Sequence, residues 1–192
     1  MRLFVAVDLD ERARRQATAA MVRLRRHCEE ASRDFAHILR WVPPDKLHLT
    51  LHFLGEVDSA RLPALRAALA APLMLRAFDL SLGAPGVFPL SGPARVVWLD
   101  VAAGAGELSA LHAELGARLR EHRFELEQRS FAPHLTLARL KSPPPTDLAW
   151  LIQSAVIEPV APWRVDHVTL YRSQLSAAGS LYGAVLRMEL AP

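Results

Sequence analysis

The chain has 192 residues, 51% hydrophobic and 22% charged, a balance that fits a chain folding around a core and excludes a disordered one. Its net charge is +3, its basic residues are all arginines except Lys46 and Lys141, and its one cysteine, Cys28, excludes an internal disulfide and a thiolate metal cluster. No apolar run approaches the roughly 18 residues of a spanning helix, and MRLFVAVDLDERARR meets Asp8 and Asp10 too early for a signal peptide; a soluble, cytoplasmic protein with no membrane contact is expected.

Residues 2–9 (RLFVAVDL) alternate apolar, β-branched side chains and predict a buried strand. Residues 10–32 open on Asp10 and carry Ala17, Met21 and Leu24 at helical spacing. The prolines of WVPPD bar helix, and the strand KLHLTLHFLG follows, ending on Gly55. A helix over 59–71 and a strand over 76–83 come next. The second half replays this order: strand 94–101, helix 106–124, strand 131–140, the proline-rich KSPPPTD, helix 148–156, and WRVDHVTLYRS at 163–173. A last strand covers 180–190.

The first strands of the two halves start 92 residues apart (94 minus 2), and the tetrapeptide HLTL recurs 86 apart (134 minus 48). Two copies of a unit this long do not make a solenoid. They predict an α+β protein, a single two-lobed domain over 1–192 with an internal duplication at approximately 1–90 and 91–192. Each lobe would be a mostly antiparallel sheet with helices packed outside, and an active-site cleft would lie between the lobes.

On a strand, residues i and i+2 share a face and stand roughly 6.5–7 Å apart. His48 and Thr50 therefore look one way while Leu49 and Leu51 look into the core, and His134 and Thr136 do the same against Leu135 and Leu137. Facing lobes would line one cleft with two imidazoles and two hydroxyls. Two groups that titrate near neutrality on opposite sides of a substrate suit phosphodiester cleavage, one activating the attacking oxygen and the other protonating the leaving oxygen. Threonine hydroxyls can donate to phosphoryl oxygens as charge builds there.

A lone strand histidine is most often an ordinary hydrogen-bonded residue; two identical tetrapeptides at matching points of a duplicated plan are not so easily dismissed. A third H-x-T, at His167, corresponds under the 86-residue offset to Ser81 and is read as an ordinary strand residue. Parity places His52 on the face of His48, beside the site, with Ala138 as its counterpart. His27, His37, His112 and His122 lie in or near helices and are read as facing solvent. On a strand His48 and His52 would stand about 13 Å apart, too far for ligand bonds of about 2 Å, so neither a metal nor a cofactor is expected. Phosphate-loop, dinucleotide and serine-nucleophile motifs are absent from the sequence.

The paired strands in LHLTLHFLGEV and FAPHLTLARL resemble the two-histidine phosphoesterase superfamily. More closely, the chain resembles the RNA 2′,3′-cyclic phosphodiesterase family, also called 2′-5′ RNA ligase-like. The likeness runs nearly end to end through RLFVAVDL, RWVPPDKLHLTLHFLG, GVFP, RVVWLDV, FAPHLTLAR and the closing LYRS. It implies metal-independent opening of RNA or nucleoside 2′,3′-cyclic phosphates to 2′-phosphates. Nothing in the sequence demands more than a monomer, and no obligatory protein partner is expected. The likeness implies His48 as proton donor, His134 as proton acceptor, and Thr50 and Thr136 as holders of the phosphate. Two chemically equal imidazoles leave the division of roles undecided in the residues themselves. Arg139 matches a recurrent phosphate-binding arginine of the family; parity sets it opposite to 134 and 136, so the strand must end or bulge there, or Arg139 is merely solvated. Phe88 and Tyr171 are candidates to stack on a base. The alternatives are 2′-5′ end joining of RNA and a non-catalytic RNA-binding module.

Overall fold

The computed structural model describes residues 1–144, 147–176 and 179–191, so part of KSPPPTD lies outside the described residues. Two antiparallel sheets form the centre. Sheet A has the order β3-β1-β8-β9, and sheet B the order β2-β6-β5-β4-β7. Their strands are β1 (Arg2–Asp8), β2 (Leu39–Trp41), β3 (His48–Glu56), β4 (Phe78–Phe88), β5 (Val96–Ala103), β6 (His134–Leu140), β7 (Val160–Val165), β8 (His167–Ser176) and β9 (Gly179–Glu189). The helices are α1 (Glu11–Ala31), α2 (Phe35–Ile38), α3 (Leu62–Ala70), α4 (Ala105–Glu121) and α5 (Leu148–Ser154). This is the α+β, two-sheet architecture expected, and no helix among the described residues is long and apolar enough to cross a membrane.

The helices start where their caps dictate. Asp10 accepts a bond from the Ala13 amide at the start of α1, and Asp147 accepts one from Trp150 at the start of α5. The inner face of α1 is Ala13, Ala17, Ala20, Met21, Leu24 and Cys28, small enough near its start to lie close to strand β7. Helix α4 turns Leu108, Leu111, Leu115 and Leu119 inward. Helices α1 and α5 cover sheet B, whereas α3 and α4 cover sheet A.

Strand order carries a feature absent from the sequence reading. WRVDHVTLYRS is not one strand: Asp166 separates β7, which pairs with β4 in sheet B, from β8, which pairs with β1 in sheet A. Sheet A thus takes β1 and β3 from the first half of the chain and β8 and β9 from the second. Sheet B takes β5, β6 and β7 from the second half and β2 and β4 from the first. The boundary near residue 90 divides the sequence, not the space, because each half lends strands to the other's sheet.

Sheet B owes part of its inner surface to glycine. A Cβ on Gly86 would collide with the Trp98 ring, and one on Gly83 would sit 2.5 Å from Asp100 Oδ1. The bare backbone of β4 therefore gives the indole and the carboxylate of β5 somewhere to lie. Gly86→Ala should displace the rigid ring and cost about 1–3 kcal/mol of stability, read as a lower urea midpoint at unchanged m-value.

Candidate active site

The strands β3 and β6, one from each sheet, approach each other across a cleft of about 400 Å³. His48, Thr50, Thr136 and Arg139 line it, with Phe4, Phe53 and Tyr182 from the sheet A side and Val42 and Lys46 from the segment leading into β3. His134 stands two residues from Thr136, half-buried, with its ring edge-on to Phe88 at 5.1 Å and beyond that lining. The Arg139 charge acts on both imidazoles, which ties the two halves of the site together electrically.

Both histidine strands break register at the same point. On β3, Thr50 pairs with Ala6 and His52 with Val5, leaving Leu51 as an extra residue. On β6, Thr136 pairs with Trp98 and Ala138 with Val97, leaving Leu137 extra. A β-bulge of this kind reverses the faces of everything beyond it. Leu51 with His52, and Leu137 with Ala138, are therefore consecutive buried residues. Phe53 and Arg139 emerge on the cleft side. The bulge that Arg139 required is present.

The same bulge removes His52 from the place that parity gave it. Its ring is 4% exposed, and its Nε2–H donates to the His112 carbonyl at 2.8 Å. The His52 and His112 rings stack at 4.1 Å, and His112 stacks on Phe131 at 4.2 Å. Gly116 of α4 leaves the space that His52 occupies, since a Cβ there would meet its Cε1 at 3.1 Å. His112 is thus packed between two rings rather than facing solvent. His27 is also engaged, within 3.1 Å of the Leu151 carbonyl and 3.2 Å of Ser154 Oγ.

The two site histidines are held identically. His48 Nδ1 lies 2.8 Å from the Lys46 carbonyl and His134 Nδ1 lies 2.7 Å from the Ala132 carbonyl. A carbonyl only accepts, so each Nδ1 carries the hydrogen and each neutral ring keeps its Nε2 lone pair free. Burial is the largest influence on both rings and lowers both pKa values below the ordinary 6.5. The backbone carbonyls oppose this, Arg139 adds to it at both rings, and Arg14 adds to it at His48.

A cross-strand carboxylate accompanies each histidine: Asp8 is opposite His48 and Asp100 is opposite His134. Their environments differ. Asp8 accepts from Thr169 Oγ1 at 2.8 Å and from Tyr171 Oη at 2.7 Å, with His167 Nε2 3.7 Å away. Its charge favours the protonated form of His48. Asp100 Oδ1 is buried against Gly83 with no hydrogen-bond partner. The third H-x-T strand, β8, thus supplies the clamp on Asp8. Tyr171 is occupied there, its hydroxyl pushed up to about 12 by burial and by Asp8, and neither it nor Phe88 lines the cleft.

Sequence reasoning missed Asp8, Phe53 and Tyr182. Phe53 and Tyr182 are 47% and 38% exposed and flank Phe4, with ring centroids 6.3 and 5.0 Å from it. A signal for the aspartates was present, because Asp8 and Asp100 stand at the same 92-residue offset as the first strands. No pattern of letters announces a bulge.

Two antiparallel sheets that meet at a cleft lined by His48, Thr50 and Thr136, with His134 just beyond that lining, define a paired-histidine α+β protein. The 2′-5′ RNA ligase superfamily model matches residues 10–177, and the chain belongs to that superfamily. An RNA 2′,3′-cyclic phosphodiesterase of Methanothermobacter thermautotrophicus is 34% identical over 184 residues, covering 95% of each chain. One of Thermotoga maritima is 31% identical over 185 residues, covering 95% of this chain and 91% of its own. Among solved structures, TT0787 of Thermus thermophilus superposes with a TM-score of 0.78 at 30% identity, covering 99% of this chain and 98% of that one. E. coli LigT complexed with 3′-AMP gives 0.73 at 28% identity, covering 100% and 98%.

The buried histidines set a pH dependence of stability. Burial lowers the His52 pKa from 6.5 to about 4, so the unfolded chain takes up a proton that the folded chain refuses as pH falls. The stability this neutral ring contributes is complete above pH 6.5 and is lost progressively down to about 4, on the order of 3 kcal/mol in all. Urea unfolding between pH 7 and 4.5 should show the decline, and His52→Gln, which keeps a donor for the His112 carbonyl, should flatten it.

Proposed function

We propose that the cleft opens the 2′,3′-cyclic phosphate of RNA ends, or of nucleoside 2′,3′-cyclic phosphates, to the 2′-phosphate. The observation that carries this reading is the matched pair of imidazoles, each with Nε2 free and each beside a threonine hydroxyl at the cleft. Water attacks phosphorus as His134 Nε2 takes its proton; the P–O3′ bond breaks as His48 Nε2–H gives a proton to the departing O3′. One P–O bond forms and one breaks, and a 2′-phosphate and a 3′-hydroxyl leave. Thr50, Thr136 and Arg139 donate to the phosphoryl oxygens where negative charge grows.

Asp8, held by two hydroxyls next to His48, supports a division of roles, because it is the carboxylate that favours a proton on that ring. Arg139 disfavours a proton on both rings, and Arg14 disfavours one on His48 as well. On the strength of Asp8 we read His48 as the acid and His134 as the base. The superfamily's name favours a second reading, in which an RNA 5′-hydroxyl replaces water in the same cleft and leaves a 2′-5′ bond.

Hydrolysis of adenosine 2′,3′-cyclic phosphate should fall on the order of 10²-fold or more in His48→Ala and in His134→Ala. Full activity in either variant would overturn the assignment, and tight RNA binding without product would identify a binding module instead. Supplying RNA halves with a cyclic phosphate and a 5′-hydroxyl tests joining. The pH–rate profile should be a bell. Its alkaline limb reports loss of the acid's proton, so Asp8→Asn, which removes the charge that favours it, should move that limb to lower pH and leave the acidic limb in place.

A further inference from the structure

Arg40 stands directly opposite Arg139 in the β2–β6 ladder, so both side chains leave the same face of sheet B. Strand alternation gives the same placement independently. Val42 continues the ladder through its amide to the Leu137 carbonyl at 2.8 Å, shares a face with Arg40, and lines the cleft. Arg40 is exposed and sits on the edge strand of its sheet, one strand spacing of about 4.8 Å beyond Arg139.

Like charges facing each other across a ladder repel. On the helices, Arg15, Arg25, Arg26 and Arg118 each bond a glutamate one helical turn away. Among the described residues neither Arg40 nor Arg139 has a carboxylate partner. Arg139 reaches inward, its charge acting on His48, His134 and Tyr182. Arg40 continues the positive charge outward along an open edge. An anion that spans from the reactive phosphate to the rim would meet both.

We propose that Arg40 is a second phosphate site, taking the internal phosphodiester that precedes the reactive phosphate in an RNA strand. It rests on the reading of the cleft as an RNA-end site and goes beyond it, since a cyclic mononucleotide has no such phosphate. A planar guanidinium can hold two phosphate oxygens at once. The arginine pair would then distinguish an RNA end from a free cyclic nucleotide.

The test compares adenosine 2′,3′-cyclic phosphate with the dinucleotide ApA ending in the same cyclic phosphate. Arg40→Ala should raise KM for the dinucleotide by about tenfold, the worth of one charged hydrogen bond, and change the mononucleotide by less than about twofold. Replacing the internal phosphodiester with an uncharged methylphosphonate should remove the difference between wild type and variant. An equal loss on both substrates, no loss on the dinucleotide, or a loss that survives the methylphosphonate would each overturn the proposal. Titrating wild type and Arg40→Ala with the corresponding 2′-phosphates separates this from catalysis. If neither cyclic phosphate is hydrolysed, the catalytic reading fails, and the dinucleotide's Kd still decides: about tenfold weaker in the variant supports the second site, and unchanged rejects it.

Discussion

Everything that faces the cleft depends on a doubled break in strand alternation. Were β3 and β6 regular, Phe53 and Arg139 would point at the helices, and His52 would stand in the cleft. An extra residue just after the threonine of each strand instead tucks two consecutive residues into the core and brings the next side chain back out beside the histidine and threonine. A bulge leaves backbone unpaired, and the inward residues offset that loss. Leu51, Leu137 and Ala138 are buried among apolar neighbours, while His52 recovers a hydrogen bond to the His112 carbonyl. The two sheets use the returned position differently: sheet B places a cation there and sheet A an aromatic ring.

The strand exchange explains how two sheets hold one cleft. Because β8 pairs with β1 while β7 pairs with β4, neither sheet is complete without strands from both halves of the chain. The exchange also brings Thr169 and Tyr171 to Asp8. The passage of the chain from sheet B to sheet A at Asp166 thus links the architecture to the electrostatics of His48.

Those electrostatics are a contest between burial and charge. Burial disfavours a proton on both imidazoles, and Arg139 adds to this at each. The near-identical backbone tethers on Nδ1 hold the two rings alike, while Asp8 and Arg14, with opposite effect, act on His48 and not on His134. Asp8 is clamped by hydroxyls and Asp100 is folded into the notch at Gly83.

The amino-acid pattern alone determined the α+β class, most element positions, and the pairing of His48 with Thr50 and His134 with Thr136, since each follows from local period and from repetition. The short strand β2, the extension of β4 to Phe88 and the split of 163–173 across two sheets were not legible, because pairing partners far along the chain decide them. Parity failed at His52 and could not place Arg139, since a bulge is stabilised by neighbouring strands rather than by its own residues. Only the tertiary structure could set Asp8 and not Asp100 to work on its histidine. The letters put both at equivalent positions, and what separates them is a pair of hydroxyls from β8 and a missing Cβ on β4.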